Sequence, residues 1–244
     1  ASSGAAAVAC DHAHYSERSA QPQYQQIAGS TMARLKLRKL EEYLQGVDGF
    51  EQPKILLEQY PTPPHIAACM AHHMQSQHED IEGKLVGDLG CGCGMLSIAS
   101  TLLGAQLTVG FELDGDAVDT FRGNVVEMEL PNVDCVRADV LQLIGSKWEK
   151  SFDTVLMNPP FGTKHNAGMD MRFLEVALRL ANRAVYSLHK TSTRSYIQKK
   201  ALEWGARGSV VAELRYNIDA SYKFHKQKSK DIEVDFWRFE IGTE

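Results

Sequence analysis

The chain has 244 residues, 43% of them apolar, and a formal net charge of −5, with a pI near 6.0. That length buries one sizeable core, so a single catalytic domain with extensions is expected, and the acidic balance excludes a generally basic nucleic-acid coat. No apolar run is long enough to span a bilayer and no start resembles a signal peptide, which points to a soluble protein; five cysteines without CxxC spacing point to reduced thiols in an intracellular compartment.

Residues 1–31 are rich in Ala, Ser and Gln and lack apolar periodicity, so a disordered extension or a cloning remnant is expected there. A transit peptide fits less well, because Asp11 and Glu17 are present and Arg18 stands alone. The domain proper is set at residues 32–244, opening at Met32, with a helical segment over 32–80. Leu37, Leu40 and Leu44 at helical spacing predict a helix over 33–45. Thr62 is suited to cap a second helix over 63–77, whose first turn tolerates prolines because its N–H groups have no helical partner. Ile66, Met70 and Met74 mark the buried face of that helix. His72, His73 and His78 read as surface residues, and no metal is expected, since neither Cys nor carboxylate completes a ligand set.

Residues 84–89 predict a strand, Gly90-Cys91-Gly92-Cys93-Gly94 a tight loop, and 95–103 a helix. Strand, glycine turn and helix open a doubly wound α/β fold, with a ligand site at the carboxyl end of the strand. The spacing is G-x-G-x-G, not the dinucleotide G-x-G-x-x-G. Asp88 would repel a pyrophosphate but attract a cationic amino-acid ligand carrying an ammonium and a sulfonium. Cys91 and Cys93 read as small loop fillers. A second strand over 106–111 carries Glu112 at its end, about twenty residues past the glycines, where an acidic side chain takes the two hydroxyls of an adenosine ribose.

A helix over 117–129 crosses to a third strand over 133–137, followed by Asp139-Val140; by itself Asp139 reads as a surface carboxylate. The apolar strand over 152–157 ends in Asn158-Pro159-Pro160-Phe161. Neither proline has an N–H, so this turn offers carbonyl acceptors without competing donors. It can receive a flat –NH₂ group: Asn158 Oδ1 and the Pro159 carbonyl hold the two hydrogens and aim the nitrogen lone pair away from themselves. Phe161 can stack on the ring bearing the amine, worth roughly 1–3 kcal/mol for a nucleobase. A polar loop over 162–170, a helix over 171–181, a strand over 183–188, a helix over 192–204 and strands over 210–216 and 232–241 complete one mostly parallel sheet. Between Lys190 and Lys230 ten Lys/Arg face three acids. The stretch Lys223-Phe224-His225-Lys226 interleaves aromatics with lysines as a loop that holds a phosphate backbone and stacks a base does.

The tetrapeptide Asn158–Phe161 resembles the [Asn/Asp]-Pro-Pro-[Tyr/Phe] signature of amino methyltransferases that use S-adenosylmethionine. Asp88-Leu89-Gly90-Cys91-Gly92-Cys93-Gly94 is similar to the first motif of the class I methyltransferases. Together with Glu58–Thr62, Ser187–Lys190 and Tyr222–His225, these motifs resemble the eukaryotic small-subunit ribosomal RNA adenine-N6 methyltransferases from about Met32 onward. The resemblance implies a seven-stranded Rossmann-like sheet whose last strand is antiparallel, with helices on both faces. It implies cofactor contacts from Gln59, Thr62, Gly90, Cys93, Met95, Glu112, Asp139 and Val140, with Asp88 and Gly92 in the same motif. RNA contacts are expected from Lys190 and the basic loop, and the resemblance implies a small zinc-binding activator subunit as partner. Strand three, as an open sheet edge, is where such a partner could add. A nuclear, nucleolar and cytoplasmic location goes with that family. Pro63 stands where the family has an arginine, and Glu112 where an aspartate is expected. Guanine-N2 or glutamine-amide methylation uses nearly the same turn, and a catalytically silent RNA-binding module is the non-enzyme alternative.

Overall fold

The computed structural model describes residues 35–162, 166–218 and 230–242. The expected extension over 1–31, part of the 162–170 loop, and Lys223, Phe224, His225 and Lys226 lie outside them.

Seven strands are formed: β1 (Leu85–Leu89), β2 (Leu107–Glu112), β3 (Val133–Arg137), β4 (Phe152–Met157), β5 (Ala181–Lys190), β6 (Ala206–Ile218) and β7 (Lys230–Ile241). They make one sheet in the order β3-β2-β1-β4-β5-β7-β6. β7 runs antiparallel to both β5 and β6, and the other pairings are parallel. The α/β expectation with one antiparallel strand is therefore met. β1 and β4 each end in four consecutive buried residues, the double-sided burial of central parallel strands.

Helices cover both faces. α1 (Leu37–Leu44), α2 (Pro64–His78), α3 (Met95–Leu102) and α4 (Gly115–Glu127) pack Leu40, Met70, Ile98 and Phe121 on one side. On the other, α5 (Met169–Leu180) and α6 (Arg194–Glu203) pack Leu174, Ala177 and Ile197. α2 is fixed by Asp80, fully buried just past its end. Asp80 accepts from Arg183 Nε at 2.5 Å, Tyr186 Oη at 2.7 Å and Arg238 Nε at 3.2 Å. Its backbone carbonyl takes the Thr154 hydroxyl at 2.8 Å, so one residue ties α2 to β4, β5 and β7.

Several sequence expectations are corrected. Thr62 does not cap α2: Pro63 occupies the cap position and makes no side-chain bond there. His72, His73 and His78 are half-buried rather than fully exposed; the His73 ring meets Phe236 of β7 edge-on at 6.1 Å and His78 at 5.5 Å. β5, β6 and β7 run longer than the apolar runs that predicted them, since cross-strand pairing carries polar residues such as Arg207 and Ser209 into the ladder. Short 3-10 turns at Ile55–Leu57, Val140–Gln142 and Thr191–Thr193 were not anticipated.

Candidate active site

The parallel register sets the carboxyl ends of β2, β1 and β4 side by side, with Asp88 opposite both Gly110 and Leu156. The connection leaves β1 for one side of the sheet and β4 starts the other, so a crevice opens between them. The glycine loop fills its floor. Gly92 has φ +54°, and a Cβ there would come within 2.8 Å of the Phe50 ring; a side chain is barred by both backbone and neighbour.

Two adjoining cavities, about 220 and 50 Å³, share Phe50, Tyr60, Gly90, Gly92 and Asn158. The larger is walled by Glu112, Asp139, Val140 and Phe173, the smaller by Thr62, Asp88, Cys93 and Met95. Asp88 is 1% exposed. Its Oδ2 accepts from Ser97 Oγ at 2.6 Å, while Oδ1 has no hydrogen-bond partner among the described residues. Burial pushes its carboxyl up to about 7. Glu112 accepts the Gly92 N–H on Oε2 and the Asp114 N–H on Oε1, each at 2.9 Å, and burial raises its carboxyl above the usual range. Asp139 uses Oδ1 to accept the Leu141 N–H at 2.9 Å, which fixes Val140 against the larger cavity. The Cys93 thiol is pushed up to about 12 by burial, so it stays protonated and serves as filler. Cys91 Sγ lies 3.7 Å from Cys135 Sγ in the core.

A strap over residues 54–62 closes the crevice from above. Lys54 Nζ pairs with Asp114 and, at 2.8 Å, with Asp116. Gln59 Nε2 donates to Asp114 Oδ2 at 2.8 Å, and Gln59 Oε1 accepts the Lys54 N–H at 2.7 Å. Asn166 Nδ2 donates to the Leu56 carbonyl and to Glu58 Oε1, both at 3.0 Å. At the end of the strap, Thr62 Oγ1 accepts from Asn158 Nδ2 at 3.0 Å.

The structure thus gathers Gln59, Thr62, Asp88, Gly90, Gly92, Cys93, Met95, Glu112, Asp139, Val140, Asn158 and Pro160 around one crevice. Gln59 acts in it as a strut, its amide engaged by Asp114 and the Lys54 backbone. Pro159 is buried beneath the turn. Phe161, expected to stack on the acceptor ring, is 8% exposed and packed in the apolar core. The rings on the crevice walls are instead Phe50, Tyr60 and Phe173. Lys190 is half-buried at the end of β5 and lines neither cavity. Sequence reasoning missed Phe50, Asn166 and Phe173; only Tyr60 lay within a motif it had singled out.

The methyltransferase small-domain family matches residues 67–193. The chain belongs to this methyltransferase family. Over 205 residues it is 63% identical to the rRNA N(6)-adenosine-methyltransferase METTL5 of Danio rerio, spanning 84% of this chain and 99% of that protein. It is 41% identical over 201 residues to the rRNA N(6)-adenosine-methyltransferase metl-5 of Caenorhabditis elegans, spanning 80% and 94%. The crystal structure of PH1948 from Pyrococcus horikoshii matches this methyltransferase with TM-score 0.74 at 33% identity, over 85% of this chain and 97% of that one.

Proposed function

We propose that this methyltransferase moves a methyl group from S-adenosylmethionine to the N6 amine of an adenosine in small-subunit ribosomal RNA. The observation that carries the reading is Asn158, an amide at the seam of two cavities, on a turn whose two prolines lack N–H groups. The names of the two animal relatives, which specify rRNA adenosine N6, support the acceptor.

The residues suit the cofactor. Asp88 Oδ1, buried and without a hydrogen-bond partner among the described residues, fits an ammonium group; Glu112 fits the ribose hydroxyls, and Asp139 with the Val140 backbone fits the adenine. When bound, the cofactor supplies an electrophilic methyl group on a sulfonium. The chain does the rest. Asn158 Oδ1 and the Pro159 carbonyl accept the two amine hydrogens, which turns the lone pair out of conjugation and toward the smaller cavity. No general base is needed beforehand, because the cationic product loses its proton afterwards. The adenine must leave its stack, at a few kcal/mol, less in a loop than in a duplex. Tyr60, on the wall of both cavities, offers one stacking face. Lys190 and the basic loop carry the RNA backbone, and a small zinc-binding activator subunit extends the sheet at β3. Such a protein works where ribosomal RNA is made and used, in the nucleus, nucleolus and cytoplasm.

Mass spectrometry of nucleosides from small-subunit ribosomal RNA, with and without the protein, tests the proposal. Loss of N6-methyladenosine alone supports it. Loss of N2-methylguanosine instead reassigns the acceptor base, and unchanged nucleosides with no S-adenosylmethionine binding by calorimetry leave a silent RNA-binding module.

A further inference from the structure

A buried asparagine on the inner face of a helix is costly unless its amide is fully bonded. The buried residues of α4 are Ala117, Val118, Phe121 and Asn124, and the last is polar and 3% exposed. Its Oδ1 accepts the Asp48 N–H at 2.9 Å. Its Nδ2 donates to the Asp48 carbonyl at 3.0 Å and to the Cys93 carbonyl at 2.9 Å. A backbone N–H can only donate and a carbonyl can only accept, so this amide sits one way round, with both hydrogens and the oxygen engaged. Resting on the cofactor reading given above, we propose that Asn124 is a positioning residue that sets the fit of the smaller cavity around the amino-acid end of S-adenosylmethionine.

The smaller cavity, about 50 Å³, is lined by two stretches far apart in the chain, residues 47–50 and 90–93. Asn124 joins them, one through both backbone groups of Asp48 and the other through the carbonyl of Cys93, across 76 and 31 positions. Ring contacts hold the same spacing. The Phe50 ring lies 2.8 Å from where a Gly92 Cβ would stand, and the Phe121 ring 2.7 Å from where a Gly94 Cβ would. The glycine loop is thus pressed between the 47–50 stretch and α4, with one amide bonded to both. Asp88, the partner read for the ammonium, lines this cavity. The adenosine end belongs to the larger cavity, with Glu112, Asp139 and Val140, which Asn124 does not line. Loosening Asn124 therefore acts on one end of the cofactor and spares the other.

Two ligands separate the ends. S-adenosylmethionine carries both, whereas 5′-methylthioadenosine keeps the adenosine and the sulfur and lacks the amino acid. Calorimetry on the full chain should show Asn124→Ala binding S-adenosylmethionine roughly 10- to 100-fold more weakly, the scale of losing buried hydrogen bonds, with 5′-methylthioadenosine affinity unchanged. Asn124→Asp keeps the shape and the acceptor for the Asp48 N–H but turns an acceptor toward two carbonyls, so it should lose at least as much. A wild-type ratio of the two affinities in either variant overturns the inference. So does an equal loss of both ligands, as from a variant that does not fold, because that is a merely structural role. Should the wild-type chain bind neither ligand, the cofactor reading itself falls; a wild type that binds both beside an Asn124→Ala of unchanged ratio removes only the role given to Asn124.

Discussion

Asp88 concentrates the electrostatics of the site in one carboxyl. Desolvation moves it from 3.8 to about 7, so the fold favours its neutral form. The sign follows: its contribution to stability is whole below about pH 3.8 and is lost as pH rises through about 7. A ligand bearing an ammonium reverses the preference and holds the carboxylate. Affinity for S-adenosylmethionine should therefore increase between about pH 6 and 7, with proton release on binding, until the ligand's own ammonium titrates near 7.7–8.0. Calorimetry in buffers of different ionisation enthalpy measures this, and in Asp88→Asn both the slope and the released proton should vanish. At Asn158, removing the amide should cost roughly 100- to 1000-fold in kcat with cofactor affinity retained, the scale of losing one preorganised polar contact to the reacting group; single-turnover rates and calorimetry separate the two effects. Both residues were legible in the sequence because each ends a strand beside a local turn motif. The motif fixes where the Phe161 backbone goes but not which way its ring packs, and the ring is 8% exposed against the apolar core.

Elements are held to one another here by polar ties that no sequence pattern announces. The strap reaches its anchors across 60 positions from Lys54 to Asp114 and 108 from Glu58 to Asn166. Asp80 meets Arg183, Tyr186 and Arg238 across 103, 106 and 158. Periodicity finds strands and helices because burial acts on neighbours two or four residues apart. It cannot find a contact whose partner lies a hundred residues on, which is why Phe50 and Asn166 were invisible and β1 to β4 were not. Asp80 allows a direct measurement of such a tie. Asp80→Ala strands Arg238 and Tyr186 without their buried acceptor and should cost about 3 kcal/mol, the lower part of the usual range because Arg183 is half exposed. That is roughly 6–12 °C in Tm for a chain of this size, read by thermal or urea denaturation, and Asp80→Asn should lose less.

At the scale of the whole molecule, the sheet has two borders, β3 and β6. β3 is short and carries exposed Asp134 and Arg137, while α4, which packs on it, leaves Val126 76% exposed. If the zinc-binding subunit adds at this border, Val126→Asp should reduce its co-purification with the chain while S-adenosylmethionine binding persists; pull-down and calorimetry on the same preparation check both. The overall plan was readable from the alternation of strands and helices, including the reversed last strand that the resemblance implied. The length of the β6–β7 pair was not, since its polar outer residues hide the alternation.

That reversed strand has a consequence for the birth of the protein. β7 is wedged between β5 and β6, yet it follows both in the chain and so leaves the ribosome after them. Until it arrives, the ten-residue flank of β5 stays open and β6 has nothing to lean on. A nascent chain that has not yet reached residue 230 therefore carries the β5 edge unpaired, a template on which another such chain can add.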